Sequence, residues 1–296
     1  MPDALAARRP SIAQQLALAA GRLEALGVRN GQREATSLWA AVAGVARGEV
    51  WLRRDDAPAE AVATRFWEAV QRRSSGIPFA YAVGRVAYRR LELSLDARAL
   101  IPRPETEGLV DLVLQVTRDG GRGTGGVAAD IGTGCGCIAL SLAVEGDFDR
   151  VVAVERSPEA ALLARENVAL VRPATPVELR VGDLLGPLAG ERFRAIVANP
   201  PYLTTAEYAA LDPAVRVFEP REALESGADG LDATRALLAG AGTLLESGGV
   251  LALEIDERRA DQVRALAREY GWNRTLVHED LFGRPRYALA FAGEHR

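Results

Sequence analysis

The sequence predicts an α/β fold, a mainly parallel sheet covered by helices on both faces, preceded by a small all-helical domain and joined to it by a β-hairpin linker. Three observations carry this. Beyond residue 126, short apolar runs alternate with longer stretches of helical pattern, the signature of βαβ crossovers. Residues 11–75 are rich in Ala, Leu, Glu and Arg, with apolar positions at helical spacing. Between the two, Leu91, Leu93 and Leu95 alternate with Glu92 and Ser94, the period of a half-buried strand. The expected domains are residues 1–78 (helical), 79–100 (hairpin linker) and 101–296 (α/β).

Composition narrows the function. The 296 residues hold 36 basic and 40 acidic side chains, a formal charge of −4 that argues against affinity from broad phosphate neutralisation. Every basic residue is arginine, for which codon bias is a sufficient reason. With 48% hydrophobic and 26% charged residues, the chain can bury a globular core. Its cysteines, Cys135 and Cys137, stand too close for an ordinary disulfide framework, which fits a reducing, cytoplasmic setting. Neither a leader pattern nor an apolar run of membrane-spanning length is present, so no membrane association is expected.

In chain order, Ile12, Leu16, Leu23 and Leu26, then Leu38, Val42 and Val45, mark short helices. Pro58 suits a helix start, and Phe66, Trp67 and Val70 give the next helix an apolar face; core packing accounts for these aromatics better than a binding role. Ile101-Pro102-Arg103-Pro104 is extended and stiff, because each proline disfavours helix in the residue before it, and helical pattern resumes over residues 105–117. The Gly-rich residues 119–126 read as a flexible connection. Strands are expected at 127–131, 151–155, 177–181, 195–198 and 250–255, with helices starting near 138, 158, 232 and 257. Residues 276–278 and 287–291 are linked by a loop with no helix, predicting an antiparallel pair that closes the sheet.

Two stretches carry chemistry. In Asp130-Ile131-Gly132-Thr133-Gly134-Cys135-Gly136-Cys137-Ile138, an apolar strand ends at an acidic residue and a glycine-rich turn opens a helix. Glycines allow unusual torsions and close backbone approach at the carboxyl edge of the sheet, where open α/β folds bind nucleotide-type ligands. Glycines at 132, 134 and 136 with Cys at 137 miss the dinucleotide spacing, and the absence of lysine rules out a phosphate loop. Glu155 ends the next strand, where a carboxylate can accept from both ribose hydroxyls; the combination suits S-adenosylmethionine. A tight turn and a solvated strand end would explain either feature alone, but their occurrence in consecutive βα units favours a ligand. With only His278 and His295 in the chain, Cys135 and Cys137 make no zinc set, and small side chains under a glycine turn suffice as their role.

The second stretch follows the strand Ala195-Ile196-Val197-Ala198, which runs straight into Asn199-Pro200-Pro201-Tyr202. Consecutive prolines fix φ and remove two backbone donors, so this corner presents carbonyl oxygens without competing N–H groups. The Asn199 side-chain oxygen and the Pro200 carbonyl can then accept both hydrogens of one planar NH₂ group, with Tyr202 offering an aromatic face. An amide nitrogen is a poor nucleophile because its lone pair is delocalised. Gripping both N–H bonds favours a nitrogen moving toward tetrahedral geometry, in line with a sulfonium methyl. A rigid turn without function is the plain alternative; the nucleotide-type turn in the same sheet weighs against it.

Taken with Ile101-Pro102-Arg103-Pro104-Glu105-Thr106-Glu107, Phe218-Glu219-Pro220 and Gly283-Arg284, these stretches resemble the PrmC/HemK family of S-adenosylmethionine-dependent glutamine methyltransferases of peptide chain release factors, over nearly the whole chain. The resemblance implies a Rossmann-like, seven-stranded class I methyltransferase domain. It implies methylation of the glutamine amide in the Gly-Gly-Gln loop of class I release factors, with S-adenosylhomocysteine as product. Asp130, Gly132, Thr133, Gly134, Cys135 and Gly136 would border the donor, Glu155 its ribose, and Asp183 with Leu184 its adenine, Asn199 also lying near it. Asn199, Pro200, Pro201 and Tyr202 would hold the glutamine, and the N-terminal helices would help dock the release factor. Arg103, Glu105 and Glu107 read as a salt-bridged helix start. The chain departs from the pattern at Leu184, where relatives often carry an aromatic residue worth about 0.5–1.5 kcal/mol of ring-specific contact, at Arg85-Val86-Ala87-Tyr88, which lacks a Glu-Phe pair, and at Glu155 in place of the more usual Asp. A ribosomal-protein glutamine is the nearest alternative substrate. A DNA amine fits the same acceptors but not the acidic balance or the lack of a DNA-reading module, and no stable nucleic-acid binding is expected. A binding module without catalysis would have no use for Asn199-Pro200-Pro201-Tyr202.

Overall fold

Ile12, Leu16 and Leu23 recur at helical spacing and all are buried, which makes α1 (Ile12–Ala25) the apolar spine of the N-terminal unit. Its start is fixed by a capping box: the Ser11 hydroxyl accepts from Gln14 N–H while the Gln14 side chain accepts from Ser11 N–H. Leu26, expected on the same stripe, instead ends the helix and is exposed. The structure is a computed structural model that describes residues 9–119 and 125–293. Most of the Gly-rich connection expected at 119–126 lies outside the described residues, as do residues 1–8 and 294–296.

The chain divides into two compact units, Met1–Arg85 and Val86–Arg296. The first continues with α2 (Gly31–Ala43), α3 (Arg47–Leu52), α4 (Glu60–Ser74) and α5 (Phe79–Val83). Trp39 and Phe66 meet edge to face at 4.7 Å in its core, and Trp67 donates to Gln15, so the aromatics pack as core residues do.

The second unit opens on the hairpin of β1 (Arg85–Tyr88) and β2 (Leu91–Ser94), followed by α6 (Pro104–Asp119). Then come β3 (Val127–Ile131), α7 (Cys137–Glu145), β4 (Arg150–Glu155), α8 (Pro158–Val171), β5 (Val177–Val181) and β6 (Phe193–Ala198). After β6 stand α9 (Thr205–Ala209), α10 (Pro213–Phe218), α11 (Asp232–Ala241), β7 (Leu245–Glu254), α12 (Ala260–Glu269), β8 (Arg274–Glu279) and β9 (Pro285–Phe291). The sheet is seven-stranded, in the order β5-β4-β3-β6-β7-β9-β8, parallel through β7 and antiparallel at β9 and β8, so the expected closing pair is present. Strand β7 begins earlier than its apolar run, because Gly248 and Gly249 sit inside it where the pairing with β6 shifts register; glycine hides the alternation there. No helix of the described residues is long and apolar enough to cross a membrane.

Register positions the candidate site. Ile131 on β3 pairs with Val154 on β4 and with Ala198 on β6, and Ala198 pairs with Leu253 on β7. One residue further on, Gly132, Glu155, Asn199 and Glu254 therefore stand in a single row at the carboxyl edge, where adjacent strands are about 4.8 Å apart.

Two buried side chains hold this edge. Asn167, wholly buried on α8, accepts from Ser94 N–H at 2.7 Å and donates to the carbonyls of Ser94 and Cys135 at 3.0 and 2.8 Å, clamping the hairpin to the glycine turn. Asp130, wholly buried at the end of β3, accepts from Thr133 Oγ1 at 2.6 Å and Ala139 N–H at 3.0 Å through one oxygen, while Oδ1 has no hydrogen-bond partner among the described residues. Burial pushes its pKa up to about 7, against the pull of those two hydrogen bonds.

Asn167→Ala should lower the free energy of unfolding by about 2–4 kcal/mol, since it strands buried backbone groups, and urea denaturation measures it; a loss under about 0.5 kcal/mol would refute the clamp. Asp130 has a raised folded pKa, so its contribution to stability is complete below the unfolded carboxylate value near 4 and is lost as pH rises through about 7. The stability advantage of the wild type over Asp130→Asn should therefore grow between pH 8 and pH 5 in urea titrations; an equal difference at both would contradict it.

Candidate active site

At the carboxyl edge of the sheet the second unit holds a cavity of about 410 Å³. Its walls include Gly132, Thr133, Gly134 and Cys135 from the turn after β3, Glu155 from β4, Asp183 and Leu184 after β5, and Asn199, Pro200 and Pro201 after β6. Stretches separated by more than sixty residues in the chain meet here because the register brings them to one row.

The turn needs glycine where the backbone is left-handed. Gly132 has φ +71° and a Cβ there would meet no protein atom within 4 Å, so this side of the turn is open. Asp130, Gly136 and Tyr202, also expected at the site, do not reach the wall. Asp130 lies beneath the turn and ties its two ends together. Gly136 faces Leu140 and Ala164, where a Cβ would sit at 3.4 and 3.6 Å, so it serves helix packing. Tyr202 is half-buried just past the wall, its pKa pushed up to about 12 by burial and by Glu254, and its phenol stays neutral.

Glu155 is already oriented: Gly134 N–H donates to Oε2 and Ser157 N–H to Oε1, both at 2.9 Å, leaving further lone pairs on each oxygen. Asp183 is largely exposed and stands 4.0 Å from the Arg156 guanidinium. Leu184 takes φ +44° and packs partly against the core while lining the cavity. Five carboxylates (Glu155, Asp183, Glu222, Glu225 and Asp232) line the walls against the three guanidiniums of Arg98, Arg103 and Arg156. Arg98 is engaged by Asp96 and Glu166 and Arg103 by Glu219, while Glu225 pairs with Arg221 and Asp232 with Arg235; Glu155, Asp183 and Glu222 then face Arg156, a balance that still favours a cationic ligand.

Glu219, of Phe218-Glu219-Pro220, is buried and accepts from Arg103 at 2.7 and 2.8 Å and from Ile101 N–H at 3.4 Å. This pins the Ile101-Pro102-Arg103-Pro104 segment to the site, and Arg103 is salt-bridged as expected. Glu107 accepts from Arg89 N–H, and the Glu105 carbonyl accepts from the Tyr287 hydroxyl at 2.6 Å. The segment after Tyr202, whose short helices α9 and α10 were not anticipated, is held by Arg259, which donates to Asp229 O and pairs with Glu207 and Asp256.

Two residues that the sequence reading passed over stand behind Asn199. Asn199 Nδ2 donates to Thr106 Oγ1 at 3.1 Å, and Thr106 Oγ1 donates to Glu254 Oε2 at 2.7 Å; Thr106 and Glu254 are each 2% exposed. The available signal was Glu254 itself, a carboxylate inside the apolar run Val250-Leu251-Ala252-Leu253-Glu254-Ile255. Among the described residues, no group of His, Cys, Asp or Glu is arranged to hold a metal ion.

Residues 14–84 match the PrmC N-terminal domain model, and residues 111–228 match the methyltransferase small domain model. A release factor glutamine methyltransferase of Moorella thermoacetica is 41% identical over 285 residues, covering 96% of this chain and 99% of that protein. The release factor glutamine methyltransferase of Deinococcus radiodurans is 40% identical over 275 residues, covering 93% and 96%. Among solved structures, the hMettl16 catalytic domain in complex with the MAT2A 3'UTR hairpin 6 superposes with a TM-score of 0.56 at 17% identity, covering 79% of this chain and 82% of that one, a likeness of fold alone. Identity at this level over nearly the full length of both chains makes the protein an enzyme of the release factor glutamine methyltransferase family.

Proposed function

We propose that the enzyme transfers a methyl group from S-adenosylmethionine to the side-chain amide nitrogen of the glutamine in the Gly-Gly-Gln loop of class I peptide chain release factors, releasing S-adenosylhomocysteine, in the cytoplasm where those factors work. The observation that carries this reading is the position of Asn199 and Pro200 on the cavity wall, in the same row of the sheet as the glycine turn and Glu155. Family membership supports the glutamine and release-factor assignments. A donor with a sulfonium and an ammonium group suits walls on which carboxylates outnumber guanidiniums, and the open side of Gly132 leaves room for its close approach.

When bound, S-adenosylmethionine supplies a methyl group made electrophilic by positively charged sulfur. Glu155 would accept from the ribose hydroxyls with the lone pairs its backbone contacts leave unused, and Asp183 with Leu184 would border the adenine. Asn199 Oδ1 and the Pro200 carbonyl would accept the two hydrogens of the glutamine NH₂. Pro200 and Pro201 offer no N–H to compete, so the corner presents acceptors only. Held this way, the nitrogen lone pair is drawn out of conjugation and aimed at the methyl by orientation. A strong base is dispensable, because the nitrogen proton becomes acidic once the methyl has transferred. The phenol of Tyr202 stays neutral, and the N-terminal helices would dock the release factor.

With labelled donor and purified release factor, mass spectrometry should locate the added methyl on the Gly-Gly-Gln glutamine; incorporation instead into a ribosomal protein or duplex DNA offered in parallel would overturn the assignment. Asn199→Ala should lower turnover by on the order of 10²-fold or more, and unchanged turnover would remove Asn199 from the mechanism.

A further inference from the structure

Asn199 can serve as an acceptor only in one of the two orientations of its carboxamide. Rotated by half a turn, the same planar group would present N–H bonds to the substrate's own N–H bonds. Something must therefore choose between two orientations of nearly identical shape. The buried chain behind Asn199 has the chemistry to do so.

An ionised carboxylate only accepts hydrogen bonds, so Glu254 takes the single proton of the Thr106 hydroxyl, at 2.7 Å. Thr106 Oγ1 then has lone pairs alone to offer Asn199, which must turn Nδ2 toward it, as it does at 3.1 Å. Planarity directs Oδ1 away from Thr106. We propose that Glu254 and Thr106 are positioning residues that fix the hydrogen-bond polarity of Asn199, holding its carbonyl oxygen toward the reacting amide; the inference rests on the glutamine-methylation reading above. Glu254 stands off the cavity wall and Thr106 lines it, and in this scheme both act on the reaction through Asn199. A buried carboxylate at the end of β7, whose hydrogen-bonding partner among the described residues is one hydroxyl, is costly for stability, and the relay gives that cost a purpose.

The relay is reversible. A protonated Glu254 can donate to Thr106 Oγ1, which frees the Thr106 proton for Asn199 Oδ1, and the carboxamide turns over. Burial raises the Glu254 pKa to about 7, against the hydrogen bond from Thr106. Arg286 on β9 and Arg103 before α6 lower it, and Glu105 on α6 raises it, while Tyr88, Tyr202 and Tyr287 face the same carboxylate as neutral phenols. The acceptor orientation therefore holds above about pH 7 and is lost as pH falls below it.

Two measurements on the 296-residue enzyme test this. In release-factor methylation at saturating donor, wild-type kcat should fall on the acid side of about pH 7. Thr106→Val, nearly the same shape without the hydroxyl, should lower kcat by roughly 10-fold or more with the donor KM little changed, and Thr106→Ser should restore it. Glu254→Gln, which can either donate or accept, should lower kcat and remove that acid limb; Asp130 titrates in the same range in every variant, so only the limb lost in Glu254→Gln belongs to the relay. The second measurement needs no substrate. Selective ¹⁵N labelling of the four asparagines gives four side-chain amide pairs, assigned with Asn199→Ala, and the Asn199 pair should shift with an apparent pKa near 7 in the wild type but not in Thr106→Val or Glu254→Gln. An Asn199 signal that ignores pH, or wild-type kinetics in Thr106→Val, would overturn the relay. A wild type that leaves release factors unmethylated would overturn the functional reading, while the asparagine titration would still decide whether Glu254 sets the polarity of Asn199.

Discussion

Parallel pairing holds β3 between β4 and β6, and that register brings three distant stretches of chain to one edge. The chain leaves β3 toward β4 on one side and later returns to pair β6 on the other, opening a crevice at the carboxyl ends of the strands. Residues that follow Ile131, Val154 and Ala198 have no choice but to line it. Shifting any of these strands by one residue would send its terminal side chain to the opposite face of the sheet. The apolar core of Ile131, Val152, Ile196, Leu251 and their neighbours holds the register, and the polar edge inherits its precision from that packing.

That edge is built against the usual economy of folding. Asp130, Asn167, Thr106 and Glu254 are all buried and polar, and each is tied to a backbone group or a side chain that must keep its place. Asp130 and Asn167 hold the glycine turn from beneath and from the side, so the turn keeps a fixed shape with its open face toward the cavity. Glu219 fixes the segment before α6 in the same manner, through Arg103 and Ile101. Apolar residues of similar volume would fill these positions at lower cost, but would leave the orientation of the turn and of Asn199 undetermined.

The layers and the places of the strands were legible because period and spacing are local: the apolar runs of β3, β4, β5 and β6 each read as strands. The order of those strands in the sheet was not read from the sequence. The first part of the glycine turn, Gly132 to Cys135, with Glu155 and Asn199-Pro200-Pro201, was legible because distinctive residue types stood at strand ends, and these residues line the cavity. Other features depend on tertiary contacts that no local pattern contains. Gly136 reads as a ligand contact by its place in the turn, yet its neighbour is Ala164 on α8. Thr106 looks like an ordinary helix residue until Asn199 and Glu254, 93 and 148 positions away, are brought beside it. Helices α9 and α10 are five and six residues long, too short to display a period.

The account rests on a carboxamide gripped by Asn199 and Pro200 beside the glycine turn. A crystal structure of the enzyme with S-adenosylhomocysteine and a Gly-Gly-Gln peptide tests it most directly. The glutamine nitrogen should lie about 3 Å from both Asn199 Oδ1 and the Pro200 carbonyl, facing the sulfur from the position a methyl group would occupy. A glutamine bound elsewhere, or an Asn199 that turns Nδ2 toward it, would contradict the account.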